Sequence, residues 1–303
     1  MDFIKINNTK LWKSSFYKQQ QKVAYMFILL PMILFLIFTV IPSIMALYLS
    51  FTDYNVIQSP TFIGIKNYKT ILEDSFFWIS LKNTFYYTAL YVPLGIVVSL
   101  SAALLLNRKK IGINFFRMSF YLPVLSSAVA TATIWIWILN PQYGIINTVL
   151  SWFGINGPAW LADTRWAMIS IVIMSVWASF GSNMMIFLAG LQGIPDYLYE
   201  SARLDGANKW QLFWYITIPS LRSTTFFVTT MLFIGAFQMF DQAFVMTQGG
   251  PGNTTLTLVY YIYNNGFGSL KMGYASALSF VLFIIILTVS LINMKFNGEN
   301  IQF

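Results

Sequence analysis

Six long runs of apolar, almost uncharged residues recur along this chain, and they constrain its fold more than anything else in it. They lie at 23–51, 85–106, 118–139, 167–190, 223–246 and 274–294. A helix rises about 1.5 Å per residue, so roughly twenty residues cross the hydrocarbon layer of a bilayer. The runs are continuous, whereas transmembrane barrel strands alternate over about ten residues. The expected class is therefore an all-α membrane protein with six transmembrane helices. Composition agrees, with 57% hydrophobic and 9% charged residues, against about 25% charged in a typical soluble domain. The first run is too long for a signal-peptide core and lacks a small-residue cleavage pattern, so it reads as an uncleaved span.

A net charge of +8 raises the question of nucleic acid, but the placement of the charge argues for topology. With a cytoplasmic N-terminus, 13 of the 18 Lys and Arg residues fall inside. These are Lys5, Lys10, Lys13, Lys18 and Lys22, then Arg108, Lys109, Lys110 and Arg117, then Arg203, Lys209 and Arg222, and finally Lys295. Lys66, Lys69, Lys82, Arg165 and Lys271 fall outside. Cytoplasmic loops are the ones enriched in positive charge. The expected organisation is a basic tail at 1–22 lying on anionic lipid, a six-helix domain at 23–294, and a short tail at 295–303. Both termini are cytoplasmic in this reading, and no nucleic-acid partner is expected.

The chain has no Cys and no His. That removes disulfides, thiolate metal sites, the commonest metal ligand and the commonest general base. No Gly-x4-Gly-Lys-Ser/Thr loop is present, so ATP is not expected to bind here. No catalytic residue and no metal site is expected.

One polar stretch, 191–221, interrupts this apolar chain. Pro195 and Asp196 signal a helix start, reaching to about Leu204. Gly206 supplies a turn, and a second helix runs from Asn208 to Thr217 and stops before Pro219. Trp210, Phe213 and Trp214 form an aromatic stripe at i, i+3, i+4, suited to seat the hairpin on another surface. Glu200-Ser201-Ala202, three residues, Gly206, nine residues and Ile216-Thr217-Ile218-Pro219 resemble the Glu-Ala-Ala loop of ABC-importer permeases. Ser201 replaces the second-position Ala and Ile218 replaces Leu. The runs Leu49–Tyr54, Phe62–Tyr68, Asn140–Gly144, Phe240-Asp241 and Gly249–Pro251 are similar to the carbohydrate-importer branch.

The resemblance implies the ABC type I importer permease fold in its compact six-helix form. It implies a bacterial inner (cytoplasmic) membrane location. The partners would be a second homologous permease, two cytoplasmic ATPase subunits that bind ATP and Mg, and an extracytoplasmic sugar-binding protein. No cofactor would sit in this chain. Glu200, Ser201, Ala202, Asp205, Gly206 and Ala207 would form the contact that couples ATP hydrolysis to transport.

Two polar faces fall within the spans. Ser175, Ser179, Ser182 and Asn183 form one stripe at i, i+4, i+7, i+8, suited either to helix packing or to a cavity. Gln238, Asp241 and Gln242 form another beside Phe237 and Phe240. Amides, carboxylates and aromatic faces suit a sugar. Ser179, Ser182, Asn183, Gln238, Asp241 and Gln242 are therefore the candidate substrate-pathway residues. Asp241 is the one acid within a predicted span, and an intramembrane carboxylate marks a candidate site. It accepts a sugar hydroxyl in one reading and sits solvated or paired at the interface in another. A polyol or glycerol-phosphate substrate, an ion-coupled secondary transporter and a membrane enzyme are the alternatives. The last two expect several buried ionisable groups or clustered acids.

Overall fold

The computed structural model describes residues 15–108 and 111–298. The N-terminal lysines up to Lys13, together with Lys109, Lys110 and the tail 299–303, lie outside the described residues. Helix α1 (Ser15–Phe35) continues through a π-turn (Leu36–Val40) into α2 (Ile41–Ser50). None of the most apolar part of this long segment is buried within the chain. A helix that is apolar all round and unburied must find its apolar neighbours outside its own chain. Its end rejoins the body, where α2 packs on the last helix.

A two-stranded ribbon follows, β1 (Thr52–Asp53) paired antiparallel with β2 (Thr61–Phe62), with Thr52 opposite Phe62. The Asn67 side-chain amide, on α3 (Lys66–Glu73), donates to the carbonyls of Ser50 and Thr52, both at 2.9 Å. This locks the ribbon onto the end of α2. The Asp74 carboxylate then caps α4 (Ser75–Leu106), accepting from the Phe76 amide. The apolar window 85–106 is thus the second part of a 32-residue helix. At about 1.5 Å per residue, α4 exceeds the roughly 30 Å hydrocarbon layer.

The window 118–139 is a broken pair. Helix α5 (Ile113–Tyr121) passes through a 3-10 turn at Pro123 and restarts as α6 (Ala128–Ile138), bent by 99°. Pro123 cannot donate a helical hydrogen bond, and the Ser127 hydroxyl caps the new start by accepting from Ala130 N. After α7 (Ile145–Trp152), α8 (Ala167–Gln192) is one unbroken span. The polar stretch forms α9 (Asp196–Leu204), α10 (Lys209–Leu212) and α11 (Ile218–Ser220). Helix α12 (Arg222–Phe237) stops at Gln238 and is followed by α13 (Asp241–Met246). Helix α14 (Leu258–Tyr263) and α15 (Met272–Gly298) complete the chain. Among the described residues, four helices are long and apolar enough to cross a membrane, or up to six spans if each bent pair counts as one.

The core lies where α4 meets α8, with α12 laid against α4. Gly95, Ser99, Ala102 and Ala103 are buried on α4. Small residues let helix backbones approach where lipid supplies no hydrophobic drive. Gly181 on α8 does the same: a Cβ there would overlap the carbonyl oxygen of Phe120 on α5. Buried hydroxyls mostly satisfy themselves along their own helix, as Thr84 does on Ser80 and Thr88 on Thr84. A second cluster, including Ile71, Phe77, Phe237, Leu258 and Leu278, joins α3, α4, α12, α14 and α15. The loop 247–257 is strapped to α4 by Asn83, whose amide donates to the carbonyls of Asn253 (2.7 Å) and Leu256 (3.0 Å).

Candidate functional site

The hairpin of α9 and α10 owes its shape to a complete pair of caps. At the end of α9 the Gly206 amide donates to the Arg203 carbonyl (3.0 Å) and the Ala207 amide to the Ala202 carbonyl (2.9 Å). This is the Schellman arrangement, which requires a left-handed residue at its turn. Gly206 has φ +85°, and a Cβ there would meet nothing within 4 Å. Glycine is needed here for its backbone freedom alone, since space is not limiting. Asn208 then opens α10: its side chain accepts from Gln211 N (3.0 Å), and the Gln211 side chain accepts from Asn208 N (2.8 Å). This reciprocal capping box leaves only Gly206 and Ala207 between the two caps. Thus Glu200, Ser201, Ala202, Asp205, Gly206 and Ala207 fall within one turn and its approach.

Helix α10 does not stop before Pro219. It widens into a π-turn (Phe213–Thr217), where the Ile218 amide reaches back to the Phe213 carbonyl. The Thr217 hydroxyl donates to Leu212 O at 3.2 Å. The helix then continues to Ser220 before a 64° bend into α12. A cavity of about 230 Å³ opens between the two arms, lined by Ala202, Asp205, Gly206, Ala207, Gln211 and Tyr215, among others. Glu200 and Asp205 are exposed, and neither carboxylate has a partner among the described residues. Trp210 and Trp214 are exposed and ring-stacked edge to face at 5.6 Å. Ser201 donates to Tyr197 O (2.9 Å), so its hydroxyl is used within α9.

The second candidate region is a cavity of about 350 Å³ at the break between α12 and α13. Gly235, Gln238, Met239, Phe240, Asp241 and Gln242 form one wall, and Tyr87 and Tyr91 of α4 form the other. At the break the side chains of Gln238 and Asp241 are exposed. Tyr87 and Tyr91 stack face to face, 5.2 Å between ring centres. Neither tyrosine was singled out from the sequence. Their i, i+4 spacing was the available signal, but aromatic pairs at that spacing are ordinary in apolar helices.

The α8 stripe divides. Ser179 accepts from the Tyr91 hydroxyl (2.9 Å), which ties it to the cavity wall. Ser182 and Asn183 both turn back to the Ser179 carbonyl, at 2.8 and 3.2 Å. Ser175 is buried, with no hydrogen-bond partner for its hydroxyl among the described residues. The structure thus brings Ser179 to Gln238, Asp241 and Gln242 through Tyr91, and holds Ser182 and Asn183 on their own helix.

A third polar focus lies around Asp74. Its carboxylate accepts from the Tyr261 hydroxyl, from the Tyr274 hydroxyl (2.6 Å) and from Phe76 N (2.9 Å). Burial pushes its pKa up, but these hydrogen bonds outweigh burial and hold it below the usual carboxylate value of 3.8. Burial, and then its bond to Asp74, push the Tyr261 hydroxyl up to about 12. Among the described residues, no three His, Cys, Asp or Glu side chains group to hold a metal ion.

The family described as binding-protein-dependent transport system inner membrane component matches residues 92–296. The chain is 37% identical over 283 residues to the probable ABC transporter permease protein YurN of Bacillus subtilis, covering 92% of this chain and 97% of that protein. It is 34% identical over 288 residues to the arabinooligosaccharides transport system permease protein AraP of Halalkalibacterium halodurans, covering 94% and 90%. In fold it is similar to a chain in the crystal structure of a bacterial alginate ABC transporter bound to an alginate pentasaccharide-bound periplasmic protein. There the TM-score is 0.82 at 24% identity, covering 94% of this chain and 96% of that one.

Proposed function

This chain belongs to the binding-protein-dependent transport system inner membrane components, ABC importer permeases of the type I fold, and from that premise we propose how it works and what it carries. It forms half of the translocation path of a sugar importer. A second, homologous permease supplies the other half. Two cytoplasmic ATPase subunits, which bind ATP and Mg, dock on the hairpin of α9 and α10. A sugar-binding protein delivers substrate at the opposite face. Both termini lie in the cytoplasm, as the distribution of Lys and Arg suggests.

One observation carries the reading. The hairpin and the cavity are two ends of a single short piece of chain. From the Gly206 turn, α10, its π-turn and α11 lead through the bend at Leu221 into α12, which ends at the cavity wall. Closure of the ATPases on ATP moves the hairpin. The helical connection transmits that motion to Gly235 and Gln238, and the cavity opens outward to receive sugar. This is alternating access between two states, biased by ATP at a distance. Glu200 and Asp205, without a partner among the described residues, offer their carboxylates to the ATPase surface.

The cavity chemistry supports a neutral, hydroxylated substrate. Gln238, Asp241 and Gln242 supply hydrogen-bonding groups, Tyr87 and Tyr91 supply ring faces and hydroxyls, and Phe240 supplies a ring face. No Lys or Arg lines it among the described residues, which favours a sugar over a glycerol phosphate. The relative named for arabinooligosaccharide transport points the same way.

The test is co-purification from the native membrane, followed by ATPase measurement with a panel of binding proteins, each loaded with one oligosaccharide. Recovery of a second permease and an ATPase, with stimulation by one loaded binding protein, is the expected result. Isolation of the chain alone, inert to every ATPase offered, would refute the proposal.

A further inference from the structure

A third cavity, of about 410 Å³, lies at the root of the hairpin. Its apolar floor is Leu191, buried at the end of α8, and its rim carries Asn107, Arg108, Arg117, Gln192 and Asp196. It therefore joins three parts of the chain: the end of α4, the helix α5, and the segment that leads from α8 into α9. Two guanidiniums and two side-chain amides converge on it, against one carboxylate. Neither Arg108 nor Arg117 is ion-paired among the described residues.

Arg117 is held in place. Its Nη2 donates to the Leu106 carbonyl at 3.0 Å, and its Nε is buried with no acceptor among the described residues. A buried charged donor without an acceptor is costly, and a guanidinium presents a planar fork that matches phosphate oxygens. Asn107 and Gln192 add neutral donors at the rim. We propose that this cavity binds a phosphate group, gripped by Arg108 and Arg117. The bound phosphate bridges α4 and α5 to the root of the hairpin, and so restrains the element that couples the ATPases to the cavity above. The cytoplasmic placement rests on the proposed function. The ligand is then either the headgroup of an anionic phospholipid of the inner leaflet or a soluble phosphorylated metabolite. Both present the same oxygens.

The experiment uses the chain in its complex with the partner permease and ATPases, without ATP or sugar. In one arm, native mass spectrometry follows retention of dioleoyl-phosphatidylglycerol. In the other, inorganic pyrophosphate is titrated onto the complex in phosphatidylcholine nanodiscs and thermal unfolding is recorded. Arg108→Gln and Arg117→Gln are compared with wild type. Arg108 is exposed, so its variant keeps the fold even if loss of the Arg117 bond to Leu106 does not. Lys295→Gln, on an exposed face of α15, controls for simple loss of charge.

Removing one of two guanidiniums from a phosphate is expected to weaken binding about tenfold or more. Lipid retention lost in Arg108→Gln but kept in Lys295→Gln assigns the site to a headgroup. Pyrophosphate stabilisation lost in the same way assigns it to a soluble phosphate. Equal binding of both probes by wild type and both arginine variants would overturn the site. Sugar uptake is read separately, on the same complexes supplied with ATP and loaded binding protein. A complex that transports normally but lacks arginine-dependent binding refutes this site alone, and one that binds but never transports refutes the proposed function alone.

Discussion

Gly206 gives the most direct access to the coupling mechanism, because its role reduces to one backbone angle. Its φ is +85° and a Cβ there meets nothing within 4 Å, so a substituted side chain costs conformation and not space. A left-handed conformation costs an L-residue about 1 to 2 kcal/mol. Gly206→Ala should therefore weaken the closed turn by roughly five- to thirtyfold. Asn tolerates the left-handed region better, so Gly206→Asn should lie between Gly and Ala. Proline is worse on two counts: its φ is locked near −65°, and it removes the N–H that bonds to Arg203. That variant should cost about 3 kcal/mol or more, releasing the Ala207 bond to Ala202 as well. Hydrogen exchange of the amides at 205–211 in the purified complex reads the turn, and sugar uptake per ATP hydrolysed reads coupling. Both should worsen in the order Gly, Asn, Ala, Pro, with each variant still reaching the membrane. Wild-type uptake in Gly206→Pro would refute the reasoning. Equal damage from Asn and Pro would show that the site needs glycine for contact and not for conformation.

Three further perturbations follow from the packing and the polar clusters. Gly181→Val should lower the thermal stability of the complex by about 1 to 3 kcal/mol through collision with the Phe120 carbonyl, and an unfolding temperature equal to wild type would contradict that contact. Gln238→Ala and Asp241→Asn should raise the KM for sugar uptake by about tenfold while leaving ATPase recovery in the complex unchanged; loss of assembly with normal KM would place these residues in folding instead. For Asp74, the folded pKa lies below 3.8, so its contribution is present above that pH and fades as pH falls through the lowered value. Asp74→Asn should therefore be less stable than wild type near neutrality, with the difference shrinking in acid; a difference independent of pH between 7 and 3 would argue against the carboxylate cluster.

Apolar run length and the spacing from Glu200 to Pro219 are local quantities, so the sequence alone determined the all-α membrane class and the family. The same holds for the hairpin: Gly206 at the turn, the Asn208 start and the Gln211 cap each act within a few residues. Breaks in helices were harder to read. Pro123 and Ser127 mark the bend within 118–139, but prolines also sit inside unbroken α1 and α4, as Pro31 and Pro93 do. A proline alone therefore does not mark a break, and at Pro219 the helix runs through a π-turn to Ser220 before it bends. The cavities were decided only by tertiary structure. Tyr87 and Tyr91 meet Gln238 and Asp241 because α12 stops early and lies against α4, and Arg108 and Arg117 share a cavity with Gln192 and Asp196 because three separated segments meet. Such contacts join residues tens to hundreds of positions apart, and no periodicity within one helix encodes which face of another it will meet.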